Sequence, residues 1–269
     1  MDRKCCGKKN ISSLESLSAR EASNLFRHII VDKKNNFLYC FVPKVASSNM
    51  KRLILTLQGK SENSDAIKHF DQRGFEFLGD FSVPERRRLV KTLFKFMFVR
   101  DPLGRLVSAY RNKFQSVNLQ FHRMYGTKIV QRYREKAGGV SSQRAQGHDV
   151  TFPEFARYVI DEPAQNMNEH WMPIYDVCQP CVVPYDFVGS FEYLDLDASA
   201  LLDRINASGR VSFPKKQAFY KTQLKKSDEL EFYKNLTLDQ YESLHRKYKK
   251  DFNCFGYEFP KNIRILPNS

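Results

Sequence analysis

The sequence predicts an α/β domain with a central, mainly parallel sheet flanked by helices. Three observations predict it. Two continuous apolar runs of strand length, Phe37 to Val42 and Leu93 to Val99, are each followed within a few residues by a helical pattern. A third run, Tyr185 to Phe191, also precedes a helical stretch. Strands alternating with helices favour parallel pairing, and such sheets bind ligands at the carboxyl ends of their strands.

The elements follow in order along the chain. Residues 1–24 are polar and serine-rich with little periodicity, and read as a flexible lead-in or stalk remnant before one domain spanning residues 25–262. The run Phe37 to Val42 ends at Pro43, which cannot donate to a sheet ladder, so the strand gives way to a loop there. Ser47 and Ser48 are suited to cap the next segment, where Met50, Leu53, Ile54 and Leu57 recur at helical spacing before Gly59. Residues 60–83 read as a long loop holding His69, and 84–91 as a short basic helix. The second strand runs into Arg100-Asp101-Pro102. There Asp101 is a good N-cap, Pro102 a good first helical residue, and Leu106, Val107, Tyr110 and Phe114 supply a buried stripe. Residues 123–144 are rich in Arg, Lys, Gln and Gly and read as an exposed insertion or lid. Thr151 starts a helix with Glu154 completing a capping box. After the third strand come a helix over 194–205 and a final amphipathic helix over 238–248, with Phe252, Phe255, Tyr257 and Phe259 packing its end.

The 269 residues carry 44 Lys and Arg against 30 Asp and Glu, a formal net charge of +14. Such a surface attracts polyanions; nucleic acid, anionic lipid and sulfated polysaccharide all fit, as does a basic surface with no binding role. No run reaches the roughly 18 apolar residues of a membrane helix, and residues 1–10 lack the apolar centre of a signal peptide. Glycosylation sequons begin at Asn10, Asn206 and Asn235, which is compatible with a secretory lumen. Of six cysteines, Cys178 and Cys181 form a C-x-x-C pair that suits a redox site, half a zinc site or a local disulfide. A second ligand pair of zinc spacing is missing, which favours a structural use and no metal. Cys40, inside an apolar run, reads as a small buried hydrophobe.

The chemistry concentrates at the two turns. Pro43 to Asn49 brings a lysine, two hydroxyls and free helix-start N–H groups to one point, the equipment for holding a phosphate. The glycines and Gly-Lys-Ser ending of a Walker loop are absent, so a kinase with magnesium is the weaker alternative. Arg100 at a strand end and Ser108 on the following helix can converge on a second anion, with Arg105 sharing a helix face with Ser108. Arg105 can equally pair with Asp101 one turn earlier. A polyanion-binding module without catalysis would explain the charge, but not two phosphate-type turns after two buried strands.

FLYCFVPKVASSNMKRL resembles the 5'-phosphosulfate-binding motif, and FKFMFVRDPLGRLVSAYRNKF the 3'-phosphate-binding motif, of the Golgi carbohydrate sulfotransferases, which include the chondroitin 4-O-, dermatan 4-O- and HNK-1 enzymes. The similarity runs from about Phe26 to Pro260. DVTFPEFARYVIDEP, MNEHWMPIYDVCQPCVVPYDFVGSFEYL and VSFPKKQAFY look most like the dermatan 4-O branch. Met50 stands where the family usually has Trp, and Gly104 where it usually has Glu.

The resemblance implies a P-loop-like sulfotransferase fold and transfer of sulfonate from 3'-phosphoadenosine 5'-phosphosulfate (PAPS) to the 4-hydroxyl of N-acetylgalactosamine in dermatan or chondroitin. It implies that Pro43, Lys44, Val45, Ala46, Ser47, Ser48 and Asn49 wrap the 5'-phosphosulfate. Arg100, Asp101, Pro102, Leu103, Gly104, Arg105, Leu106, Val107 and Ser108 would hold the 3'-phosphate. Lys44 would neutralise the leaving phosphate without a metal, and His69, in the loop between the motifs, would be the base, with His170 in reserve. The acceptor would be a glycosaminoglycan rather than nucleic acid, met by Arg86 to Arg88 and the 123–144 segment. The setting would be the Golgi lumen or membrane. The membrane anchor expected of the family is absent from this sequence, so the expectation is a chain starting at an internal methionine or a soluble enzyme.

Overall fold

Five strands, β1 (Ile29–Asp32), β2 (Phe37–Cys40), β3 (Glu76–Phe77), β4 (Phe94–Val99) and β5 (Phe187–Ser190), form one sheet in the order β3-β1-β2-β4-β5. The computed structural model describes residues 3–6, 13–61, 74–134, 147–214 and 224–261. β4 pairs in parallel with β2 on one side and β5 on the other, while β1 runs antiparallel to both β2 and β3. The α/β class therefore holds, but the mainly parallel sheet is corrected to a mixed one. The reason is local: residues 33–36 between β1 and β2 are too few for a crossover, and Asn36 at φ 59° closes a tight hairpin. The sequence pattern hides β1 because Ile29 follows the helix Ala19–His28 with no breaker between them.

The parallel half carries the core. Every residue of β2 is buried, as are five of the six in β4, which explains their unbroken apolar runs. Tyr39 stacks on Phe96 at 4.8 Å between the two strands. Beside the sheet, Trp171 is fully buried among aromatic neighbours including Tyr125 at 5.0 Å and Phe155 at 5.4 Å, and its indole N–H donates to Glu162 at 3.1 Å.

Three disulfides fasten the outer elements to this core: Cys5–Cys254, Cys6–Cys181 and Cys40–Cys178. Cys40 is buried but bonded, not a free hydrophobe, because β2 presents it to the helix Ile174–Cys178. The C-x-x-C pair does not close on itself; each member reaches a different element. Within the expected lead-in, the described residues 3–6 and 13–24 are tied to the body. Ser18 and Glu21 form a capping box for the helix Ala19–His28, whose Leu25 and His28 are buried, and Cys5 and Cys6 are covalently held.

Two further boundaries differ from the sequence reading. Residues 123–134 are not an exposed insertion: a π-helical turn His122–Gly126 leads into the helix Thr127–Arg134, which buries Ile129 and Val130 and sets Arg134 against Glu154. Residues 135–144 lie outside the described residues. The last helix extends over Leu238–Phe255 and stops at Gly256, which takes the left-handed φ of 73°. Near its end the buried Asp251 accepts the backbone N–H groups of Ile174 and Tyr175 at 2.7 and 2.8 Å, fixing the start of the helix Ile174–Cys178.

Candidate functional site

At the carboxyl end of β2 the chain passes through Pro43-Lys-Val-Ala46 into the helix Ser47–Leu57. Lys44 and Ala46 adopt φ of 75° and 61°, left-handed values that cost an L residue roughly 1–2 kcal/mol each. Strained backbone of this kind is concentrated at functional sites. The Ala46 carbonyl accepts from Asn49 and Met50 at 3.0 and 3.1 Å. Among the described residues, the Lys44 ammonium and the hydroxyls of Ser47 and Ser48 meet no hydrogen-bond partner. The helix behind them is buried even at Lys51 and Arg52. Burial pulls the Lys51 pKa down to about 8, and its ammonium sits 3.4 Å over the Phe41 ring.

At the carboxyl end of β4 the second turn enters the helix Pro102–Tyr110, capped by Asp101, whose Oδ1 accepts from the Gly104 N–H at 2.9 Å. The Arg100 guanidinium donates to the Lys44 carbonyl at 3.3 Å, pairs with Glu229 at 2.5 Å and lies 4.3 Å over the Phe191 ring. The two turns therefore touch. Arg105 is 2% exposed and among the described residues meets no carboxylate: it donates to the carbonyls of Pro43, Glu169 and Met172 at 3.0, 2.8 and 2.6 Å. One rigid guanidinium so ties both turns to the 168–172 segment. Ser108 is half-buried, and its hydroxyl has no partner among the described residues.

The electrostatics converge on Lys44. Burial, then the neighbouring charges of Lys113, Arg100, Arg105 and Arg111, bring its pKa down to about 7. Lys113 is itself held below the usual lysine range by burial, with Glu169 opposing, and stands 4.0 Å over Phe121 in the π-helical turn Arg111–Gln115. His170 shares this field. Burial and Lys113, with help from Lys44 and Arg105, hold its imidazole near a pKa of about 3 against the attraction of Glu169. Glu169 is engaged elsewhere: its carboxylate meets His28 Nε2 at 3.0 Å. A cluster of cations with so few counter-charges favours binding of a multiply charged anion.

The structure brings Pro43 to Asn49 together with Arg100 to Ser108, and it gives Arg105 a backbone-pinning position rather than the Asp101 partner considered from sequence. His69 lies outside the described residues. Lys113, Arg111 and Glu229 escaped the sequence reading. The signal for the first two was present, since the basic residues of Tyr110-Arg-Asn-Lys113 continue past Ser108; Glu229 carried none, because its partner is 129 positions away. Gly104 is explained by the same residue: a Cβ there would stand 2.6 Å from the Glu229 carboxylate.

Fold and site together define an α/β protein with two adjoining strand-to-helix turns that gather Lys44, Arg100 and Arg105 at the carboxyl ends of neighbouring parallel strands. A sequence model of the sulfotransferase family matches residues 27–258, and the chain belongs to that family. It is 44% identical over 261 residues to carbohydrate sulfotransferase 14 of Danio rerio, covering 96% of this chain and 70% of that one. With carbohydrate sulfotransferase 14 of Homo sapiens it shares 44% over 247 residues, 91% of this chain and 64% of the relative. With carbohydrate sulfotransferase 11 of Mus musculus it shares 38% over 253 residues, 90% and 70% respectively. The chain thus spans about two thirds of the length of these relatives. No solved structure matches it.

Proposed function

We propose that the chain transfers sulfonate from PAPS to the 4-hydroxyl of N-acetylgalactosamine in a dermatan or chondroitin chain. The observation that carries this reading is the first turn, where an ammonium and two hydroxyls without partners among the described residues sit beside Arg100 in a cationic field. Lys44, Ser47 and Ser48 would take the 5'-phosphosulfate, and Arg100 and Ser108 the 3'-phosphate. PAPS supplies the activated sulfonate. Lys44 and the helix N–H groups would offset the charge that grows on the leaving phosphate during an in-line displacement. The carbohydrate named in the relatives' descriptions supports a sugar acceptor, and the identity to carbohydrate sulfotransferase 14 supports the dermatan assignment. Three disulfides support a secretory-pathway lumen such as the Golgi; among the described residues no helix is long and apolar enough to cross a membrane.

Two measurements test the reading. Calorimetry with adenosine 3',5'-bisphosphate and no magnesium should give micromolar binding that Lys44→Ala weakens. Radiolabelled sulfonate from PAPS should reach the 4-position of N-acetylgalactosamine in desulfated dermatan ahead of unsulfated chondroitin. Nucleotide binding with label on neither polymer would retain the donor site and refute the acceptor.

A further inference from the structure

We propose that His170 is the base that takes the proton of the acceptor hydroxyl, an inference that rests on the donor-site reading above. Two nitrogens of the Arg105 guanidinium hold the carbonyls of Pro43 and Glu169, at 3.0 and 2.8 Å. Lys44 and His170 are the residues that follow those carbonyls. They therefore start from adjacent backbone points, and one rigid group fixes the spacing.

The imidazole is held in one orientation and one tautomer. Its Nδ1 lies 2.7 Å from Asn168 Oδ1, and the Asn168 amide nitrogen donates to the Tyr125 hydroxyl at 3.1 Å. Oδ1 is thus the acceptor, Nδ1 carries the hydrogen, and Nε2 carries the lone pair. Nε2 meets no partner among the described residues, and the ring is half-buried. Phe121 meets the imidazole edge-on at 5.4 Å, with Lys113 over the same phenyl ring at 4.0 Å. Glu169, the nearest carboxylate in sequence, does not compete, since it is bound to His28.

In the reaction the acceptor oxygen bonds to sulfur as the bond from sulfur to the 5'-phosphate oxygen breaks. The electron pair of that bond leaves on the phosphate, facing Lys44, and the hydroxyl proton passes to His170 Nε2. The products are a sulfate ester and adenosine 3',5'-bisphosphate, and no other reactant is consumed. Burial first, then Lys113, Lys44 and Arg105, opposed by Glu169, keep the imidazole neutral before the donor arrives. An anionic nucleotide offsets those cations and raises the proton affinity of Nε2.

The test compares full-length wild type with His170→Ala, His69→Ala and Asn168→Asp, measuring single-turnover rate, adenosine 3',5'-bisphosphate affinity and rescue by added imidazole. His170→Ala should lose roughly 10²- to 10⁴-fold in rate, keep its nucleotide affinity and regain rate as neutral imidazole is added. Asn168→Asp, whose carboxylate holds Nδ1–H more strongly, should move the acidic limb of the rate profile upward in pH. A rate within about threefold of wild type in His170→Ala overturns the assignment. Imidazole rescue of His69→Ala in its place overturns it too, as does an unrescued His170→Ala with the Asn168→Asp limb unmoved. Failure of the wild-type protein to bind the nucleotide is a separate outcome; it overturns the donor site and this assignment with it.

Discussion

The two turns share a plan, strand into helix with a cation at the bend, yet only the second helix has a side-chain cap; Ser47 and Ser48 do not cap the first, whose N-cap position is Ala46. The turn at Pro43 to Asn49 is strained at two residues and leaves its ammonium and hydroxyls unpaired. The turn at Arg100 to Ser108 has a capped helix, an Arg100 paired with Glu229 and an Arg105 spending its donors on three carbonyls. The first turn stores unmet polar capacity for a ligand, while the second supplies the rigidity that keeps that capacity aimed. Unsatisfied groups are costly inside a protein, and most of those the two turns hold lie in the first.

The sharpest way to break this comparison is at Arg105. Arg105→Ala orphans three carbonyls at roughly 1–3 kcal/mol each, and the expected loss is about 3–5 kcal/mol in denaturant unfolding. Arg105→Lys should recover little, because a point charge cannot serve three acceptors. A variant within about 1 kcal/mol of wild type would mean that the second turn is not the scaffold.

Next in size is a pH effect at Lys44. Its pKa of about 7 in the free protein must rise when an anion binds, so binding takes up a proton above that value. Nucleotide affinity should be flat below about pH 7 and fall by up to about tenfold per pH unit above it. Lys44→Gln should flatten the slope; an unchanged slope would place the titrating group elsewhere.

A smaller effect separates binding from stability in the first turn. Lys44→Gly relieves a left-handed conformation and a buried charge, and should stabilise the protein by about 1 kcal/mol while turnover falls. Destabilisation would show that Lys44 supports the fold. The smallest effect is expected at Gly104→Ala. The new Cβ pushes the Glu229 carboxylate aside, but the helix gains up to about 1 kcal/mol in propensity, so the net change should stay under about 1 kcal/mol. A loss above about 2 kcal/mol would show that the Arg100–Glu229 pair stabilises the second turn.

The legible parts of this molecule were the local ones. β2 and β4, the caps at Asp101 and Thr151 and the helices they start follow from apolar runs and short-range capping chemistry. Both strand-to-helix turns were readable for the same reason. What the sequence concealed depends on partners far along the chain. Cys40 looks like any buried residue until Cys178 faces it, and Arg105 looks like a partner of Asp101 until the carbonyls of Glu169 and Met172 arrive. β1 was hidden by continuity with the preceding helix, and the full length of the last helix by aromatic residues that read as a packed tail.

The longest covalent link carries a consequence for how the protein is made. Cys5 must wait for Cys254, 249 positions later, and at usual rates of synthesis that delay is on the order of tens of seconds. During the wait, Cys5 and Cys6 are adjacent thiols, while Cys178 and Cys181 emerge before their neighbours are in place. In the finished molecule Cys5 Sγ lies only 3.9 Å from Cys181 Sγ, so wrong pairing is geometrically close to right pairing. Maturation should therefore depend on a thiol–disulfide shuffling catalyst, and the yield of native protein on the timing of oxidation relative to release from the ribosome.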